Sequence, residues 1–182
     1  MITLIIVTDK QNAAIFAVIA SLLHEFGHIL QMKLLNYKLK RIKIGFVNSD
    51  IILSVHKNSD MIKILLSGSF VNFCIALISK LLFLYTKRGL FEIIFWQNLF
   101  IGILNLLPIG MLDGGMILSI ILNDKISDLE RAKKISNIIS VVFLTPIAIV
   151  GFLILLSSKY NFSLVLLSCY LFSYILFKED IF

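Results

Sequence analysis

The sequence predicts an all-helical membrane protein with about five transmembrane helices. Of its 182 residues, 59% are hydrophobic and 15% are charged, with a mean hydropathy of +0.97. Soluble domains are closer to half apolar and a quarter charged, so polar groups cannot cover this chain's apolar surface. Five apolar stretches are also long enough to cross about 30 Å of hydrocarbon as helices.

The five stretches follow one another with short connections. They lie at about 12–35, 61–85, 91–122, 135–156 and 162–177, and the last is marginal in length. The third is interrupted at about 107–112, where Pro108 and Gly110 predict a broken helix. We expect one membrane domain over residues 1–182.

A different pattern lies between the first two stretches, at about 38–58. Charged and apolar residues alternate in KLKRIKIGFV, a turn sequence follows at Asn48-Ser49-Asp50, and IILSV is a second β-prone run. This pattern predicts a small β-hairpin at the membrane surface. A disordered basic loop remains the alternative.

The net charge of +6 does not indicate a nucleic-acid partner, because most basic residues flank apolar stretches. If the spans alternate, residues 33–63, 123–134 and the C-terminus share one side of the membrane. That side carries 12 of the 17 basic residues. The positive-inside rule therefore predicts an external N-terminus and a cytosolic C-terminus.

The first stretch contains His24-Glu25-Phe26-Gly27-His28. Two helical residues four apart differ by about 40° in rotation and about 6 Å in rise, so both imidazoles point to one side. They can occupy two corners of a zinc tetrahedron, with Glu25 as general base toward a water on the metal. Such residues in a membrane helix normally mark function. A chance match and simple interhelical hydrogen bonding are the alternatives.

Two histidines do not complete a catalytic zinc site, so a third protein ligand is expected. Asp113 is the foremost intramembrane acidic candidate, because it lies in the interrupted segment NLLPIGMLDGG. Irregular backbone at membrane depth is tolerated where it lines a protein-enclosed or wet cavity. The alternative is a short loop with Asp113 as N-cap of the next helix, a role compatible with metal binding.

HEFGH followed by LNLLPIGMLDGG resembles the site-2 protease family of intramembrane zinc metalloproteases. The resemblance is greatest to its compact bacterial branch, which includes sporulation-factor processing proteases. Gly68-Ser-Phe-Val-Asn72 resembles the family's Gly-x-x-x-Asn segment. The three motifs occur in the family's order. They imply a three-helix catalytic core at about 12–122 and additional helices at about 135–178.

The resemblance also implies roles for individual residues. His24, His28 and Asp113 would bind one zinc ion per chain, and Glu25 would be the catalytic base. Asn72 would orient the substrate or support the developing oxyanion, with an interhelical hydrogen bond as the alternative.

Two further residues of the third motif, Asn105 and Pro108, would help to position the substrate. The chain departs from the family where prolines are common, at Met111 and at Ser69. These departures affect the expected local backbone geometry and leave the expected ligands in place.

The expected reaction is hydrolysis of a peptide bond within or near a transmembrane segment of another protein in a bacterial cell membrane. Besides this substrate and the lipid bilayer, the expected partners are a regulatory membrane protein or a second copy of the chain. The rival hypotheses are a membrane transporter of metal ions or protons that uses the same His/Glu/Asp cluster, and an inactive relative. Five spans without an obvious repeat disfavour the transporter.

Overall fold

The computed structural model describes residues 13–37, 57–158 and 163–177, which form six helices. They are α1 (Ala13–Leu34), α2 (Asn58–Thr86), α3 (Gly89–Leu106), α4 (Asp113–Lys125), α5 (Leu129–Ser158) and α6 (Ser163–Phe177). These residues contain no strand, so the predicted all-helical class is confirmed. The predicted hairpin lies outside the described residues except for its last two positions, and Asn58 already begins α2.

Four of the described helices are long and apolar enough to cross a membrane. The qualifying segments are Ile15–Leu34, Asn58–Thr86, Gly89–Leu106 and Leu129–Ser157. The apolar part of α6, Val165–Ile175, is shorter. The predicted interruption of the third stretch is confirmed, because α3 and α4 are separate helices with the break between them.

The chain divides into two compact units, Met1–Leu106 and Leu107–Phe182. In the first unit, α1, α2 and α3 contact one another pairwise. One stripe of α2 is buried, with the three- and four-residue spacing of a helix face. Its members are Met61, Ile64, Leu65, Gly68, Ser69, Asn72, Ala76 and Ser79.

The backbones of α1 and α2 approach closely at Gly27. A Cβ atom there would lie 2.8 Å from the carbonyl oxygen of Ser67 and 3.0 Å from the Cα atom of Gly68. The Ser67 hydroxyl is also 3.0 Å from the Gly27 carbonyl oxygen, to which it donates. The absence of a side chain at position 27 therefore lets the two helices meet beside His24 and His28.

The end of α1 is fixed by a Schellman motif, in which the residue after the helix has a left-handed conformation. Asn36 has φ 59°, which asparagine tolerates better than most residues. The Tyr37 N–H donates to the Met32 carbonyl at 3.0 Å, and the Asn36 N–H donates to that of Lys33 at 3.1 Å. The basic Lys33 in the last turn suits the negative end of the helix dipole.

In the second unit, α5 contacts both α4 and α6. Its apolar core consists of Ile109, Leu144, Leu171 and Ile175. Ile109 belongs to the break between α3 and α4 and is completely buried. The break is therefore packed into the core of this unit. The expectation of one domain over residues 1–182 stays a prediction.

Candidate metal centre

His24 and His28 lie on one face of α1, as the four-residue spacing predicts. Their Nε2 atoms are 3.2 Å apart, and the rings meet edge to face with centroids 4.7 Å apart. Two nitrogens each about 2.0–2.1 Å from a tetrahedral zinc ion would be about 3.3–3.4 Å apart. The separation of the two Nε2 atoms therefore fits a pair of zinc ligands.

The other ring nitrogen of His28 is fixed by α2. Its Nδ1 atom is 2.7 Å from the carbonyl oxygen of Ile64. A carbonyl only accepts hydrogen bonds, so Nδ1 carries the proton and a neutral His28 presents a lone pair at Nε2. A hydrogen bond of this kind orients a metal-binding histidine and makes it a better ligand.

Gly68 provides the space that the two imidazoles occupy. A Cβ atom at this position would lie 2.6 Å from Cε1 and Nε2 of His28 and 2.8 Å from Cε1 of His24. Both rings therefore lie directly against the backbone of α2. Any side chain at position 68 would push them away from their present positions.

Glu25 lies next to His24 on α1 but on a different face. Its side chain is exposed, whereas His24 is only 4% exposed. One residue along a helix corresponds to about 100° of rotation, which explains the difference. The Glu25 carboxylate is therefore not covered by neighbouring helices in the structure.

Asn72 follows Gly68 by one turn on the buried stripe of α2. The residue is completely buried, and neither atom of its amide has a hydrogen-bond partner among the described residues. The interhelical hydrogen bond considered as the alternative is therefore not found in this part of the chain. A buried amide without a partner is costly, which makes Asn72 a good candidate for binding an external polar group.

Asp113 belongs to the second unit and is 5% exposed. It is the first residue of α4, and the N-cap position is occupied by Leu112 in an extended conformation. The alternative of Asp113 as N-cap is therefore wrong. A carboxylate in the first turn still suits the positive end of the helix dipole.

The remaining predicted residues, Asn105 and Pro108, lie where α3 ends and the break begins. Asn105, in the last turn of α3, is half-buried and donates from Nδ2 to the Ile101 carbonyl oxygen at 3.0 Å. Pro108, in the break, is half-buried, and its carbonyl oxygen is 3.2 Å from the Ser140 hydroxyl. Their predicted contact with a substrate stays a prediction.

One segment of the chain, which includes Asp113, matches a known protein family. Residues 86–147 match the family model of peptidase family M50. This match confirms the resemblance to the site-2 proteases, whose family consists of zinc metalloproteases. It covers about a third of the chain, from the end of α2 into α5. The chain has no significant match among curated proteins or solved structures.

The peptidase family M50 match includes Asn105, Pro108 and Asp113, whereas the HExxH motif lies outside the matched residues. Together with the four long apolar helices, the match supports a multi-pass integral membrane protein of the metallopeptidase class. The ligand set itself stays a prediction.

Sequence reasoning missed two parts of the histidine site. The Ile64 carbonyl is a backbone group, so its position against His28 leaves no signal in the sequence. Gly68 was identified as part of a motif, but its contact with both imidazoles was not anticipated. The sequence signal for that contact was the glycine four residues before an Asn inside an apolar stretch.

Proposed function

We propose that this chain is an intramembrane zinc metalloendopeptidase that cleaves a peptide bond within or near a transmembrane segment. The observation that carries the proposal is the pair of Nε2 atoms of His24 and His28, 3.2 Å apart on a membrane helix. The M50 match around Asp113 adds independent support from another part of the chain.

In this proposal His24, His28 and Asp113 hold one zinc ion. The donor set of two imidazoles and one carboxylate is the kind that catalytic zinc uses, and it leaves a fourth position for water or substrate. When bound, zinc would lower the pKa of water and polarise the scissile carbonyl group.

Glu25 acts as general base and then as general acid. Its carboxylate takes a proton from the attacking water and gives a proton to the leaving amide nitrogen as the carbon–nitrogen bond breaks. Glu25 directly follows the proposed ligand His24 on α1, and its exposed carboxylate is left free by the neighbouring helices to meet the reactants in this proposal.

We propose that Asn72 donates its amide N–H to the substrate carbonyl oxygen or to the developing oxyanion. Asn105 and Pro108 help to position an extended substrate segment. A transmembrane helix hides its carbonyls in internal hydrogen bonds, so the substrate must unwind locally. We propose that it pairs with the segment at 38–58 by strand addition.

The proposed setting is a bacterial cell membrane, with the N-terminus outside and the C-terminus in the cytosol. A regulatory membrane protein or a second copy of the chain would control access of the substrate. Deleting residues 38–56 while preserving the fold should reduce cleavage. Undiminished cleavage would contradict the strand-addition step alone.

The ligand set is tested by the zinc content of the purified full chain in detergent. Wild type should hold one zinc per chain, and Asp113→Ala and His28→Ala should each lose most of it. Lys63→Ala is a suitable control, because Lys63 is exposed and its ion pair among the described residues is with Asp60, within its own helix turn. Full zinc retention by Asp113→Ala would refute its assignment as the third ligand.

The reaction is tested by co-expression with membrane-anchored candidate substrates. Glu25→Gln should retain zinc and lose cleavage, because the amide is nearly isosteric but cannot accept the proton. A transporter would instead show altered ion flux in this variant and no peptide-bond cleavage in wild type.

A further inference from the structure

We propose that Ser140, assisted by Ser136, is a positioning residue that fixes the backbone on both sides of Asp113. The inference rests on the proposed function, in which Asp113 is a zinc ligand. Both serines lie on α5, a helix beyond the predicted three-helix core, so α5 would contribute to the metal site without touching the metal.

The Ser140 side chain binds the break before Asp113. It is completely buried, and its Oγ atom is 3.0 Å from the Gly110 nitrogen, 3.2 Å from the Pro108 carbonyl oxygen and 2.9 Å from that of Ser136. Oγ accepts a hydrogen bond from the Gly110 N–H. It shares its single proton between the carbonyl oxygens of Pro108 and Ser136. One side chain therefore holds a donor and an acceptor of the break.

A second serine contact reaches the backbone after Asp113. The Oγ atom of Ser119 donates to the Gly115 carbonyl oxygen at 3.0 Å, so the Ser136 hydroxyl, 3.2 Å away, donates to Ser119. All three hydroxyls are buried. The chain of hydrogen bonds thus connects α5 to the first turn of α4.

The break and the start of α4 are also in direct steric contact. A Cβ atom at Gly115 would collide with the Ile109 carbonyl group and lie 2.7 Å from the Gly110 nitrogen. Gly110, three residues before Asp113, and Gly115, two residues after it, are therefore fixed against each other. The Asp113 backbone lies between these two fixed points.

The physical need for the serines follows from the break itself. Residues 107–112 lack the helical ladder that would satisfy their N–H and C=O groups, and neither lipid nor an apolar core offers a replacement. The buried stripe of α5 at Ala132, Ser136, Ser140 and Leu144 faces inward at four-residue spacing. On this stripe the Ser140 hydroxyl supplies partners to two of these groups, the Gly110 N–H and the Pro108 carbonyl. The Ser136 hydroxyl bonds to Ser119 instead.

The test measures zinc affinity of the full chain in detergent by competition with a chromophoric chelator. Ser140→Ala should bind zinc about tenfold more weakly, at the lower end of what outer-shell partners contribute to metal sites. The matched control is Ser168→Ala, which removes a buried hydroxyl of the same unit that donates to Val165 of its own helix. The control should keep wild-type affinity.

A double variant separates positioning from general destabilisation. If Ser140 acts through Asp113, adding Ser140→Ala to Asp113→Ala should weaken zinc binding no further. Equal zinc affinities of Ser140→Ala and wild type, with Asp113→Ala impaired, would overturn this inference alone. Unimpaired Asp113→Ala would overturn the ligand assignment of the proposed function.

Thermal unfolding of the metal-free variants shows whether each variant is folded before its zinc affinity is compared. If Ser140→Ala does not fold, Ser136→Ala takes its place, because it removes only the link to Ser119. That variant should fold and bind zinc more weakly than Ser168→Ala does. Equal affinities of the Ser136 and Ser168 variants would then overturn the proposal.

Discussion

At the scale of single residues, a backbone carbonyl determines the orientation of the His28 imidazole. No side-chain substitution removes such a group. The Nδ1–H of His28 donates to the backbone carbonyl of Ile64, and its Nε2 atom faces that of His24. The imidazole is thus held with the metal-binding nitrogen directed toward its partner before any metal arrives. Such preorganisation reduces the cost of binding the ion.

The close contact of Gly68 with both rings leads to a prediction. Gly68→Ala should displace the rings and weaken zinc binding at least tenfold. The fold should persist, because the atoms in contact belong to side-chain rings. Zinc affinity and thermal unfolding are the two measurements.

Gly89→Ala serves as the matched control, since a Cβ at position 89 would meet open space within 4 Å among the described residues beyond its own helix. Its zinc affinity should equal that of wild type. If Gly68→Ala also binds zinc normally, the observed contact does not govern the positions of the rings.

Asn72 gives a prediction in which stability and activity change differently. Because its buried amide has no hydrogen-bond partner among the described residues, Asn72→Ala should leave stability unchanged or slightly raised. If the amide stabilises an oxyanion, kcat/KM should fall about 10²- to 10³-fold. A variant that unfolds more easily and still cleaves at the wild-type rate would indicate a structural role instead.

At the scale of helices, α2 carries three different groups along one buried stripe, and two of them contact the imidazoles. Ile64 contributes a carbonyl, Gly68 contributes the absence of a side chain, and Asn72 contributes an amide. The four-residue spacing places them one turn apart on one face, about 6 Å between neighbours along the axis. The segment from Gly68 to Asn72 thus combines a gap for the imidazoles with a buried polar group one turn further along α2.

The α3–α4 connection depends on Gly115 in a stricter way. Gly115→Ala would place a methyl group against the backbone of Ile109 and Gly110, which cannot move aside as a side-chain ring can. We expect a destabilisation of about 3 kcal/mol and a lower unfolding temperature.

Thermal unfolding of the metal-free protein in detergent measures this effect, again with Gly89→Ala as control. The effect should be seen without zinc, in contrast to that of Gly68→Ala. An unchanged unfolding temperature would show that the break can move away from α4 at little cost.

At the scale of the whole molecule, large apolar side chains are exposed on helices of both units. Examples are Leu22 on α1, Leu77 on α2 and Leu153 on α5, each more than half exposed. In water so much exposed apolar surface would drive aggregation, whereas lipid tails solvate it without cost. The outward-facing surface is thus the reason that the chain requires a membrane.

The predicted topology can be tested by labelling single cysteines in intact cells. Cys74 and Cys169, both exposed, are first replaced by serine. A cysteine at Ser127, between α4 and α5, should be labelled only from the cytosol, and one at Arg88, between α2 and α3, only from outside. Both positions are exposed in the structure, so each serves as the other's control. The reverse pattern would invert the proposed orientation.

The sequence by itself determined the helical membrane class and the candidate ligands. Apolar length is a local property, and the spacing of His24 and His28 defines a helix face without any tertiary contact. The same holds for the break at 107–112, because Pro108 and Gly110 act on their own backbone.

Tertiary structure alone decided how these pieces are held. The Ile64 carbonyl reaches His28 from 36 residues away in sequence, and the Ser140 hydroxyl reaches Gly110 from 30 residues away. A backbone carbonyl has no residue identity, and a buried serine resembles any other serine of an apolar helix. The orientation of the imidazole and the support of the break therefore depend on how the helices pack. Residue patterns within a single segment of the sequence do not show that packing.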